Sequence, residues 1–455
     1  MKQKNRLGED SVFSLVLRLA IPTMLAQLVS VLYSIVDRMY IGAGVGDLAL
    51  AGVGVCGPIV TLLGSFASLV GLGGSPQMAM RMGEGKHKEA QHILSNSLLM
   101  LLGLSAVLTM VFLLLKNNLL MWFGASDATF AYADTYLTII AAGTFFALLA
   151  GGMNSFLICQ GFPGLGMATV MLGAVMNIVL DPIFIFVLHL GVAGAAIATV
   201  FSQMVSCIFV LCALARPKMP VRLHFGGFSW RIMTRIAMFG MSPFLIIASD
   251  SVLFIVLNTM LQRYGGPGEG DVLVTCATIV QSYYLLICMP LGGITAGSQP
   301  IVSFNYGAAK HKRILTAIKF VTMICLCFCT LMTIATYTPL APLFVRLFTT
   351  NAAIAPRAVH FIKIYTLMII PLAVQYALVD EITAMGQLRL SLFCSMFRKS
   401  FFLICVILLP MFFGASAVFF AEPIVDLSAA LLTSFLFLRY IPQRLKQHAN
   451  RAVAG

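Results

Sequence analysis

Asn177 and Asp181 stand four residues apart in the apolar stretch Asn177-Ile178-Val179-Leu180-Asp181-Pro182, so a helix would put them on one face. Asp37 and Thr199 lie in two other apolar stretches. Together these four offer two carboxylates, an amide and a hydroxyl. An all-oxygen set suits a hard cation such as Na⁺ and does not suit zinc. A carboxylate pair in a dry site can instead hold one proton, because two like charges share a proton more readily than both ionise. Other polar residues interrupt apolar stretches further along. Asp250, Glu422, Asn154 and Gln281 are candidates for substrate binding or for a second cation site. Asp380 and Glu381 fall where Arg389 or Arg398 could pair with them, and both arginines are expected to snorkel toward the interface. Asp426 lies deeper in the same stretch as Glu422.

The stretches that hold these groups are membrane stretches. Of 455 residues, 60% are hydrophobic and only 10% are charged, against about 25% charged in a soluble domain. Mean hydropathy is +0.97. A soluble enzyme and a disordered chain are both excluded. The 38 glycines show no triplet period, which excludes a collagen-like chain. Long apolar runs without alternation argue against a transmembrane barrel. An all-α polytopic membrane protein remains. Runs of membrane length fall near 13–37, 48–78, 93–115, 132–157, 165–188, 191–214, 236–261, 272–300, 315–338, 358–384, 393–413 and 415–438. That predicts twelve transmembrane helices, each near the ~20 residues that cross ~30 Å of hydrocarbon. An ionisable group inside such a span costs at least about 2.5 kcal/mol, so each one is a functional candidate.

The net charge of +13 does not point to nucleic acid, because basic residues collect on the cytoplasmic side of membrane proteins. With the N-terminus inside and the spans alternating, 23 of the 29 Lys and Arg fall on the inner segments. The sequence therefore predicts cytoplasmic N- and C-termini in the plasma (inner) membrane. Met1–Asp10 leads into the first run without a signal-peptide cleavage pattern. The eleven cysteines lack metal or redox spacing and read as small packing residues. In this topology Asp37 nears the outer end of the first span. Asp181 and Thr199 lie in the outer halves of the fifth and sixth, so the four residues reach similar depth. Asp250, about fourteen residues into the seventh span, is ~21 Å from the inner end, near mid-membrane.

The two halves repeat. Gly83-Glu84-Gly85-Lys86-His87-Lys88 matches Gly307-Ala308-Ala309-Lys310-His311-Lys312, and Pro76 pairs with Pro300, all at offset 224. Pro22 pairs with Pro243 and Asp37 with Asn258 at offset 221. Glu422 is the repeat-mate of Thr199. Six spans per half start both halves on the same face, which predicts two six-helix lobes related by a pseudo-two-fold along the membrane normal. The divisions are 1–215, a cytoplasmic linker 216–235, and 236–455.

Ile21-Pro22 with Asp37-Arg38-Met39-Tyr40-Ile41-Gly42, the Asn177–Pro182 segment, Gly194-Ala195-Ala196-Ile197-Ala198-Thr199, and Gln299-Pro300-Ile301 through Asn305-Tyr306-Gly307-Ala308 occur in order. In these segments the chain resembles the MATE (multidrug and toxic compound extrusion) family over nearly its whole length. The resemblance implies an antiporter that expels organic, often cationic, compounds in exchange for Na⁺ or H⁺ by alternating access. It carries the family's cation-site residues onto Asp37, Asn177, Asp181 and Thr199, a possible Na⁺ site. Acids in the seventh and tenth spans serve some family members, which adds to the case for Asp250. A flippase for lipid-linked precursors, from the same wider superfamily, is the alternative. Those proteins tend to have cationic cavities, whereas the mid-span charges here are acidic.

No P-loop, His-rich cluster, aspartate-rich motif or serine elbow is present, so neither direct ATP use nor a membrane enzyme is indicated. The expected partners are small-molecule drugs or organic cations and the lipid bilayer, with no nucleic acid. No cofactor is expected beyond H⁺ or Na⁺ as coupling ion, with a lean to H⁺, and the chain is expected to be a monomer. The 26 Met and 34 Phe could line an adaptable drug site.

Overall fold

The computed structural model describes residues 7–123, 127–266, 269–349, 351 and 354–454. Lys2, Lys4 and Arg6 of the basic census lie outside the described residues. In hydrocarbon every backbone polar group must be satisfied within its own segment, so the apolar runs become helices. They are α1 (Val12–Gly44), α2 (Asp47–Gly83), α3 (His87–Trp122), α4 (Asp127–Ala142), α5 (Thr144–Cys159), α6 (Pro163–Pro182) and α7 (Gly191–Ala215) in the first half. The second half holds α8 (Trp230–Gly265), α9 (Glu269–Gly307), α10 (His311–Tyr337), α11 (Leu340–Phe348), α12 (Ala355–Tyr365), α13 (Ile369–Ala384), α14 (Leu388–Phe413) and α15 (Ala421–Ala454).

Ten of these helices are long and apolar enough to cross a membrane singly. Where the sequence predicts the fourth and tenth spans there are bent helix pairs, which bring the candidates to as many as twelve: α4 and α5 meet at 55°, α12 and α13 at 49°. The first bend sits at Gly143, where a Cβ would fall 2.4 Å from the Val200 side chain of α7. Only glycine lets the bend lie that close. The short helix α11 was not expected from the apolar runs. At the end of the bundle opposite the termini, Arg357 of α12 and Glu269 of α9 form a two-pronged ion pair. The guanidinium holds the Glu269 carboxyl below its ordinary value.

Two buried apolar cores form, and they trade elements. One runs from Ile41 to Ile236; the other takes Leu7–Ala20 of the N-terminal region and then Leu253–Leu445. So α1 starts in the second core and ends in the first, while α8 starts in the first and ends in the second. Accordingly α1 packs along α9, and α2 along α8. The segments before these two helices are strapped the same way. Lys310 Nζ donates to Gly8 O at 2.8 Å, and Arg313 Nη2 to Asp10 O at 2.6 Å. Before α8, Val221 N donates to Gln160 Oε1 at 2.8 Å and Ser229 N to Asn96 Oδ1 at 2.8 Å. We refer to the end where α1 begins as the basic end.

Candidate functional site

Asp37 lies 25 residues into α1, about 38 Å along it from the basic end. Asp181 closes α6, one residue before Pro182 and a five-residue π turn, Ile183–Val187. Such turns loosen the backbone ladder and are common at functional sites. Thr199 is two turns into α7, which runs back beside α6. The three helices bring all four residues together. Asn177 Nδ2 donates to Asp181 Oδ1 at 3.1 Å and to Thr199 Oγ1 at 3.4 Å. The carboxyls of Asp37 and Asp181 are within hydrogen-bonding reach of each other. Tyr33 and Tyr136 flank them both.

Asp181 and Asn177 are buried. Yet Asp37 Oδ1, Asn177 Oδ1 and Asp181 Oδ2 are buried oxygens that meet no donor. Buried acceptors are costly to leave unpaired, by about 1–3 kcal/mol each and more when charged. Three such oxygens on neighbouring residues make an acceptor-only cradle. What can fill it is a cation, either a proton or a hard metal ion of oxygen preference.

The MatE family model matches residues 22–183 and 244–411. The chain belongs to the MatE family. It is similar to the multidrug export protein MepA of Staphylococcus haemolyticus (strain JCSC1435), 24% identical over 430 residues covering 94% of each chain. MepA of Staphylococcus aureus (strain N315) is 23% identical over 455 residues, 98% of each. Among solved structures it matches an outward-facing multidrug resistance MATE family transporter of the MOP superfamily, with TM-score 0.88, 25% identity, and coverage of 97% and 98% of the two chains. It is thus a multi-pass helical membrane protein of a transporter family.

The remaining candidates of this MatE chain do not join that cradle. Asn154, on α5, faces Gly166 at the start of α6, eleven residues and about 17 Å below Asn177. Its Oδ1 also lacks a donor. Asp250 of α8 is ion-paired with Lys399 of α14, with 52% of its side chain exposed. Gln281 is half-buried on α9, one turn from Tyr284. Thr295 donates to Asp380 at 2.5 Å, and both oxygens of the fully buried Glu381 lack a donor. Neither acid pairs with Arg389 or Arg398 as expected from the sequence.

Arg398 does not snorkel. It is buried and binds Glu422 and Asp426 of α15. Ten residues into α14, it lies about 15 Å from that helix's start, beyond the reach of its own side chain to the interface. The spacing of Glu422 and Asp426, four apart on one face, was the signal that could have found it.

Proposed function

We propose that this chain is a secondary active exporter of organic, often cationic, small molecules, driven by a cation that binds at Asp37, Asn177, Asp181 and Thr199. The observation that carries the reading is the acceptor-only cradle, with three buried oxygens that meet no donor. The names of the MepA relatives support the choice of multidrug compounds as substrates. Residues 1–215 and 236–455 act as two lobes joined by 216–235, and they alternate access across a plasma membrane with both termini in the cytoplasm. The exporter works as a monomer.

The coupling ion in this reading is H⁺. Two carboxyls within hydrogen-bonding reach, Asp37 and Asp181, share a proton naturally. Na⁺ would have to part them and take both as ligands. The test is efflux of a fluorescent organic cation from vesicles under separately imposed gradients. A pH gradient alone should drive efflux and a Na⁺ gradient alone should not. The opposite pattern would make Na⁺ the coupling ion. A flippase reading is not favoured, because Arg398 and Lys399 are both committed to acids and so are not free to hold a pyrophosphate.

Asp250 is proposed to face the substrate path. Its pairing with Lys399 leaves about half its side chain open, and an organic cation can compete for that face. Asp250→Asn should lower export of cations more than of neutral compounds. Equal losses in both classes would make Asp250 merely the outer half of an ion pair.

A further inference from the structure

The two halves treat their carboxylate pairs differently. In the first half one oxygen of each acid, Asp37 Oδ1 and Asp181 Oδ2, lacks a donor. In the second half Glu422 and Asp426 are surrounded by donors. Arg398 Nη2 donates to Asp426 Oδ1 at 2.9 Å and to Glu422 Oε1, and Arg398 Nε reaches Asp426 Oδ1 at 3.3 Å. Tyr365 donates to Glu422 Oε2 at 3.2 Å and Tyr284 to Glu422 Oε1 at 2.8 Å. The side chains of Arg398, Glu422 and Asp426 are 10%, 7% and 0% exposed. A guanidinium therefore stands among these acids where a free metal cation would otherwise have to go.

The charges do not yet balance. One guanidinium faces two carboxylates. The other titratable groups packed around them are Tyr284 and Cys288 of α9, Cys329 of α10, Tyr365 of α12 and Tyr376 of α13, and beyond Tyr376 the Asp250–Lys399 ion pair, which adds no net charge. Phenols and thiols are ordinarily neutral near neutral pH. A net charge of −1 would remain in a dry core, which is the arrangement least tolerated there. Donor counting says where the missing cation goes. Asp426 Oδ2 has only Tyr284 Oη, at 3.4 Å, and the single Tyr284 hydrogen is already directed at Glu422 Oε1. A proton on Asp426 Oδ2 would donate to Tyr284 Oη, which also lies 3.1 Å from Arg398 Nη2, whose two hydrogens are shared among three acceptors. Every carboxyl oxygen of the pair then has a partner and the cluster is neutral.

We propose that Glu422 and Asp426 form a second proton site, with one proton held on Asp426 Oδ2 and Arg398 filling the place of any metal cation. The site deepens the exchange function proposed above by giving the second half its own proton-binding group. It rests on that reading only for its part in transport. The proton itself follows from charge and donor counting.

The test is infrared spectroscopy of the purified full-length protein in lipid, read at the carbonyl stretch of protonated carboxylic acids. The starting protein carries Asp37→Asn and Asp181→Asn, so the first-half acids are silent. At neutral pH a protonated-acid band should remain. Adding Asp426→Asn should remove one carboxylic acid's worth of it, and saturating Na⁺ should leave it unchanged. A spectrum unaltered by Asp426→Asn would overturn the proposal, as would a band that Na⁺ displaces. Asp426→Asn keeps one guanidinium with one carboxylate, so it should melt no lower than its parent at neutral pH. Arg398→Gln strands two acids and should melt well below it. A large fall in melting temperature for Asp426→Asn would mean both acids were ionised and needed, again against the proposal. The exchange reading fails separately, if Asp37→Asn keeps full gradient-driven efflux, and that result leaves the infrared band where it is.

Discussion

Asp37→Asn should abolish gradient-driven efflux and leave the protein folded. The substitution keeps the side chain's shape and removes one of two neighbouring negative charges. It also puts an amide donor where Asp181 Oδ2 now meets none. The variant therefore imitates the cation-filled cradle permanently. It can no longer report whether the driving ion is bound, and coupling is lost. Folding should not suffer, because unpaired buried oxygens gain a partner. Asp181→Asn should behave alike. Asn177→Ala removes a neutral ligand and a charge-assisted hydrogen bond, worth about 1.5–3 kcal/mol. That corresponds to roughly 10- to 150-fold weaker use of the driving gradient rather than its loss. Vesicle efflux with matched expression and melting temperatures checks all three. Full transport by Asp37→Asn would remove the cradle from the mechanism.

The four cradle residues were legible in the sequence because their placement needs only helix period and alternation of spans. Asn177 and Asp181 share a face by spacing alone, and counting spans puts Asp37 and Thr199 at their depth. Arg398 was misread because its partners come from elsewhere in the chain. Asp380 and Glu381 are nearer in sequence, but α15 and α9 supply the actual contacts. Hydropathy gives the depth of a charge and not the direction in which it points. The same limit hid Lys399 as the partner of Asp250. It also hid the bends at Gly143 and at 366–368, since an apolar run reads as continuous whether or not the helix turns within it. The exchange of α1 and α8 between the cores depends on packing between distant segments, which no local pattern encodes.

That exchange brings the backbones of the two halves into contact at the basic end, and glycines permit it. A Cβ on Gly83 would fall 2.0 Å from Phe304 O, and one on Gly307 would fall 2.0 Å from Met80 O. The two positions are repeat-mates, and each faces the other half's backbone in the same way. Along α2 and α8, a Cβ on Gly240 would meet Leu69 O at 1.7 Å. A carbonyl oxygen cannot step aside as a flexible side chain would, because moving it moves the helix. Gly83→Ala with Gly307→Ala should therefore keep this end from closing. If transport requires each end to close in turn, the double variant should fold and bind a fluorescent organic cation but export none of it. Spin labels at Lys86 and Lys310, both exposed beside the contact, should lose their short-distance population. Gly64→Ala and Gly103→Ala, whose Cβ atoms meet nothing within 4 Å, should export normally. Unimpaired export by the double variant would show that the glycine contact is not on the transport path. The contact of Gly83 and Gly307 with the opposite backbones would then be only one packing of the helices, without a part in the cycle.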